Sequence, residues 1–138
     1  MSLEADPVIR IAAALIIDGQ GRTLLVRKRG TQAFMQAGGK IEGGESAADA
    51  LIRELHEELG LELDAAAPEY LGRFVAPAAN EPGRLVEAEM FRVTTDQAVR
   101  PAAEIDEVVW IRPSEPGDLP LAPLTRDHVL PICAAKAS

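Results

Sequence analysis

Residues 39–61 read GKIEGGESAADALIRELHEELGL, and the fold of the whole chain is best approached from this stretch. Ser46 can cap a helix whose third position is Asp49, as in a capping box, and Gly60 suits its C-terminal stop, which predicts a helix from Ser46 to Leu59. Successive helix residues lie ~100° apart around the axis, so Glu54, Glu57 and Glu58 fall within an arc of ~100°. Ala48, Leu51, Ile52, Leu55 and Leu59 form a neighbouring apolar stripe that can face a core. Arg53 stands at the other edge of the acidic arc, one turn from Glu57, and His56 lies away from it. Carboxylates this close repel one another. A hard divalent cation with oxygen ligands would offset that cost, although a solvated acidic face is an alternative reading of the helix by itself. Ahead of the helix, Gly38, Gly39, Gly43 and Gly44 allow the backbone to approach a ligand closely. Between them Lys40 offers a phosphate-facing charge, and Glu45 adds a further carboxylate.

Outward from this segment the chain alternates apolar runs and breaks. Val8 to Ile17 and Thr23 to Val26, parted by Asp18-Gly19-Gln20-Gly21, read as strand, turn and strand. A polar loop with Gly30 and Phe34 leads to an extended Met35 to Glu42. Beyond the helix, Glu69 to Ala76 and Leu85 to Thr94 read as strands around the loop 77–83, and Val108 to Ile111 as a short strand. Leu124 to Ala135 predicts a closing helix that Pro131 shortens or kinks. With no repeat and no long linker, the pattern is that of one mixed α/β domain over residues 1–138.

Composition narrows the function classes. At 47% hydrophobic and 26% charged, the chain has the balance of a folded protein, with a core of Val, Ile, Leu and Ala because only five residues are aromatic. A net charge of −8, from 22 acidic and 14 basic residues, disfavours non-specific binding to nucleic acid. A small phosphate compound remains compatible with that charge if a metal ion supplies positive charge locally. Cys133 is the only cysteine, so no intrachain disulfide can form, which fits a reducing compartment. The opening MSLEADPVIR lacks the basic and apolar regions of a signal peptide, and no apolar run reaches the ~20 residues that a membrane helix needs. The expectation is a cytoplasmic chain without a membrane or nucleic-acid partner.

The segment 39–61 resembles the Nudix box at every specified position: Gly39, Glu45, Arg53, Glu54, an aliphatic at Leu55, Glu57, Glu58, Gly60 and an aliphatic at Leu61. With each exact residue occurring at ~6–7%, a chance match is on the order of one in ten million or rarer. The resemblance, of MutT-like type, implies an α/β/α sandwich with a mixed sheet. It also implies hydrolysis of a diphosphate linkage in a nucleoside diphosphate derivative with Mg²⁺ or Mn²⁺, and a homodimer by family habit. Glu57 and Glu58 would be the principal metal ligands, joined by the Gly39 carbonyl, with Glu54 a further ligand or the group that orients or deprotonates water. Arg53 would pair with a glutamate and fix its rotamer, and Glu45 would assist nearby.

Outside the box the sequence offers further residues, each with a plainer alternative. Glu104, with Glu107 second, is the expected general base; either also reads as a surface acid flanking a strand. Arg27, Lys28 and Arg29 end the second strand and could hold a phosphate or simply be solvated. Phe34 could stack on a ring or pack in the core, and Asn80 could bond a base edge or form a turn. The compact length resembles nucleoside triphosphate pyrophosphohydrolases. Pro77 stands about where ADP-ribose-cleaving relatives carry a proline, so ADP-ribose-type and dinucleoside polyphosphate hydrolases stay open. A non-catalytic nucleotide-binding module is the competing class; such proteins lose acids of the box, and this chain keeps them all.

Overall fold

The run Val8–Ile17 is apolar at nearly every position because the strand it forms, β1, is covered on both faces. The computed structural model describes residues 8–78, 81–115 and 117–132. In it, Ala12, Ala14 and Ile16 belong to one core layer and Ala13 and Leu15 to the other, following the two-residue period of a strand. β1 pairs in parallel with β5 (Leu85–Thr94) along its whole length, and β5 pairs antiparallel with β4 (Glu69–Pro77). On its other side β1 is shared. Ile17 meets Thr23 of β2 (Thr23–Lys28), while Ile11 to Ala14 pair with β3 (Ala37–Lys40). β2 continues antiparallel to β6 (Ile105–Ile111), giving the order β4-β5-β1-β2-β6 with β3 attached to β1.

Helix α1 (Ala47–Leu59) covers one face of this sheet through Ala50, Leu51, Leu55 and Leu59. Its N-terminus is capped as the sequence predicts: the Ser46 hydroxyl accepts a bond from the Asp49 N–H at 3.1 Å. At the other end Gly60 is left-handed, and the N–H groups of Gly60 and Leu61 return to the carbonyls of His56 and Leu55. The Arg100 and Ala102 N–H groups satisfy the carbonyls of Leu59 and Glu58, each at 2.8 Å. These two bonds bring the segment ahead of β6 against the C-terminal end of α1.

The opposite face is covered by a closing helix, residues 123–132, through Leu124 and Val129. Within it Thr125–Val129 is a π-helical turn, and the Leu130 N–H reaches back to the Thr125 carbonyl. Pro131 follows at once; it has no N–H to give, and the widened turn is the local form of the distortion expected there. The expected continuation to Ala135, and Cys133 with it, lie outside the described residues. Sheet and helices form the α/β/α sandwich with a mixed sheet that the resemblance implies.

Boundaries differ from the sequence reading at β2, which runs to Lys28 rather than Val26, at β3, which spans Ala37–Lys40 within the extended Met35 to Glu42, and at two further strands. β6 starts at Ile105 rather than Val108, because Asp106 and Glu107 are exposed and pair with Arg27 instead of adding to an apolar run. β4 runs on through Pro77, which lies opposite Leu85, so that residue belongs to a strand end and not to the loop. No helix among the described residues is long and apolar enough to cross a membrane.

Candidate active site

Gly38 and Gly39 set the distance between β3 and its neighbours. Gly38 has φ 144°, and a Cβ there would stand 2.1 Å from the Ala12 carbonyl oxygen. At Gly39 a Cβ would meet the Glu54 carboxylate carbon at 2.5 Å. The absence of side chains therefore lets β3 lie against β1 and lets the Glu54 carboxylate lie against the backbone of Gly39. From the same strand the Gly38 N–H donates to Glu58 Oε1 at 3.2 Å. The helix period then places Glu57 beside them, exposed at 52% of its side chain, while Glu58 is buried at 6%.

Burial disfavours the charged form of Glu58 and pushes its carboxyl up to about 7. The Lys28 ammonium and the Gly38 N–H oppose that shift, and the neighbouring Glu54 carboxylate reinforces it. Glu45 is affected in the other direction. The Arg53 guanidinium binds it through two nitrogens at 2.8 and 2.9 Å, and the Glu42 N–H adds a third bond at 3.0 Å. These bonds hold the Glu45 carboxyl at about 2. Arg53 also donates to Glu54 at 3.0 Å and to the Lys40 carbonyl at 3.3 Å, and its Nη1 lies 3.7 Å from Glu57. One guanidinium thus ties the glycine loop to the acidic face of the helix.

Among the described residues no three His, Cys, Asp or Glu side chains already converge as a ligand set. Glu54 is engaged by Arg53, Glu58 by Gly38, and Glu57 faces water. The candidate donors are nonetheless all oxygens: three carboxylates and the backbone of Gly39, whose missing Cβ leaves the space Glu54 occupies. Such a set fits a hard divalent cation and not a soft one.

A cleft of about 180 Å³ reaches Gly39 from the side of the closing helix. Its walls are mostly aliphatic, including Ile9, Ile11, Val86 and Leu124, and its polar members include Lys28, Gln36, Lys40 and Glu81. Gly39 and Lys28 belong to both regions. Gly39 lines the cleft and touches Glu54, while Lys28 lines it and acts electrostatically on Glu58. Gly39 and Lys28 therefore border both the apolar cleft and the acidic cluster, although none of the acids of that cluster lines the cleft.

The structure sorts the remaining residues singled out from sequence. Lys40 lines the cleft. Arg27 does not, because its guanidinium is committed to Glu107, Asp106 and the Thr31 carbonyl at 3.0 to 3.2 Å. Arg29 is exposed and turns to the Ala103 carbonyl. Lys28 is the member of that trio facing the site, as strand alternation with Leu24 and Val26 places it on the α1 side. Phe34 is a core ring packed with Leu25, Ile111 and Leu130, not a stacking platform. Asn80 lies outside the described residues. Glu104 is exposed, and its carbonyl accepts from the Arg29 N–H at 2.7 Å; it follows the segment held to the end of α1. Glu107 is occupied by Arg27. Gln36, Thr125 and Glu81 line the cleft without having been expected there, and nothing local in sequence marks them.

The NUDIX domain profile matches residues 7–131. The chain belongs to the Nudix family. It is thus a hydrolase acting on diphosphate linkages of nucleotides, in a family that generally uses divalent metal ions. This Nudix hydrolase is 36% identical over 121 residues to the CTP pyrophosphohydrolase of Escherichia coli (strain K12), a match covering 84% of each chain. A shorter match, 38% identical over 58 residues, covers 39% of this chain and 43% of the 8-oxo-dGTP diphosphatase of Haemophilus influenzae. Its fold superposes on the crystal structure of the MutT protein from Methanosarcina mazei Go1 with a TM-score of 0.78 at 22% identity, covering 99% of each chain.

Proposed function

We propose that this Nudix hydrolase is a metal-dependent nucleoside triphosphate pyrophosphohydrolase, converting a nucleoside triphosphate and water to the monophosphate and pyrophosphate. The observation that carries the proposal is that Gly39 and Lys28 border both an aliphatic cleft and the acidic cluster. A nucleotide has that same polarity, a flat weakly polar ring at one end and a dense anionic chain at the other. The names of the curated relatives support the substrate class.

In this reading Glu57, Glu58, Glu54 and the Gly39 carbonyl hold the divalent cation. When bound, the metal supplies charge neutralisation of the diphosphate and a lowered pKa for water. Lys28 and Lys40 add fixed positive charge along the path from cleft to acids, where a molecule of net charge −8 would otherwise repel its substrate. Arg53 fixes the rotamers of Glu45 and Glu54, a positioning role. Glu54 orients the attacking water, and Glu104, next to the segment docked on the end of α1, accepts its proton.

The test is a panel of CTP, UTP, GTP, ATP, 8-oxo-dGTP, ADP-ribose and diadenosine tetraphosphate with Mg²⁺ or Mn²⁺, read by mass spectrometry so that the cleaved bond is identified. Monophosphate and pyrophosphate from at least one triphosphate is the expected result. Turnover confined to ADP-ribose or the dinucleotide would move the chain to those subclasses. Binding of a nucleotide without turnover of any compound would make it a binding module.

A further inference from the structure

Gln36 lies between the Val26–Met35 bridge and β3, in a segment fastened to the end of the chain by two backbone bonds. The Phe34 N–H donates to the Pro120 carbonyl, and the Ala122 N–H to the Phe34 carbonyl. This fastening brings Gln36 to Thr125, whose hydroxyl donates to the Gln36 amide oxygen at 2.7 Å. Both side chains line the cleft and both are buried, Gln36 at 5% exposure and Thr125 at 0%.

In this arrangement the amide oxygen accepts from the Thr125 hydroxyl. With that oxygen held by the closing helix, the amide nitrogen presents its two N–H donors elsewhere. Nε2 has no hydrogen-bond partner among the described residues. A buried donor left unpaired costs free energy, and folded proteins rarely retain one without a use. The aliphatic surroundings argue against a phosphate as the missing partner, because Lys28 and Lys40 stand toward the acidic end. They suit the flat face of a nucleobase, which carries ring nitrogens and carbonyl oxygens at its edge. Nε2 exposes essentially no surface in the free chain, so a base reaches it by displacing a neighbour.

We propose that Gln36, oriented by Thr125, is a specificity-determining residue that donates a hydrogen bond to an acceptor atom at the edge of the substrate's nucleobase. The inference rests on the nucleotide-hydrolase reading above and adds to it the polarity of base recognition: the protein donates and the base accepts. Bases with two adjacent acceptors, such as O2 and N3 of cytosine or O6 and N7 of guanine, match the two hydrogens of the amide best.

The experiment compares kcat/KM for CTP, UTP, GTP and ATP in the wild type and in Gln36→Leu, Gln36→Glu, Thr125→Val and Thr125→Ser. In Gln36→Leu the ratio between the best and the worst nucleotide is expected to fall about tenfold, with the loss lying more in KM than in kcat. Gln36→Glu replaces the donors by acceptors and is expected to reorder the four bases. Thr125→Val frees the amide to turn and should narrow discrimination in part, whereas Thr125→Ser, which keeps the hydroxyl, should restore it. Should Gln36→Leu melt early because the Thr125 hydroxyl loses its partner, the double variant Gln36→Leu/Thr125→Val leaves neither group unpaired and takes its place. If all four nucleotides change by the same factor in every variant, the pair is merely structural and the inference is overturned while the hydrolase reading stands. A wild type inert toward all nucleotides overturns that reading and the inference with it.

Discussion

Glu58 is expensive to keep in the metal-free chain, and the cost has a pH signature. Its carboxyl titrates near 7 in the folded chain against an ordinary value of 4.5, chiefly because it is buried. Between those two values the folded state binds a proton that the unfolded state does not. Stability therefore falls as pH rises through that window, and the full cost is present above about 7. Glu58→Gln is expected to stabilise the chelator-treated protein at pH 8, with the gain vanishing near pH 4.5, while turnover falls by orders of magnitude. Thermal melts at pH 5 and pH 8 measure this, and an equal change at both would remove burial as the cause. Arg53 poses a different question, since its fork binds both Glu45 oxygens and also Glu54. A lysine has the charge but not the fork. Arg53→Lys is therefore expected to cost about 10- to 100-fold in kcat/KM with little loss of Tm; activity within a factor of two of wild type would rule out the positioning role.

At the scale of elements, β3 offers a contrast between adjacent residues of the same type. A methyl group on Gly38 would collide with backbone, the Ala12 carbonyl at 2.1 Å, in a conformation with φ 144° that a side chain rarely tolerates. On Gly39 the obstacle is the end of the Glu54 side chain, which can swing away. Gly38→Ala should thus destabilise the fold by about 2–4 kcal/mol. Gly39→Ala should melt nearly as wild type does and lose most of its activity, because Glu54 is displaced. Denaturant unfolding paired with initial rates separates the two, and equal stability losses would refute the distinction. The helix and the acidic face were readable beforehand because their determinants are local: a cap at Ser46, a stop at Gly60, and carboxylates three and four residues apart. β6 was read three residues short because Asp106 and Glu107 form cross-strand ion pairs, which leave no apolar trace.

At the scale of the molecule, what escaped the sequence is what folding joins across long separations. Gln36 meets Thr125 across 89 positions, and Lys28 differs from Arg27 only in which face of β2 it occupies. The same long-range assembly makes the metal a property of the whole fold. The Gly39 backbone belongs to β3 and the carboxylates to α1, so an unfolded chain cannot present them together. A cation that binds the folded state alone must stabilise it, by about 2.7 kcal/mol at a hundredfold excess over Kd. Adding Mg²⁺ or Mn²⁺ to the chelated protein should raise Tm by several degrees. The increment should be larger at pH 8 than at pH 5, because at the lower pH the cation must displace a proton from Glu58. In Glu57→Gln, which keeps volume and removes a ligand charge on an exposed residue, the metal-free Tm should stay near that of the wild type while the increment largely disappears. A variant that retains the full metal-induced rise would exclude Glu57 from the ligand set, whatever its effect on turnover.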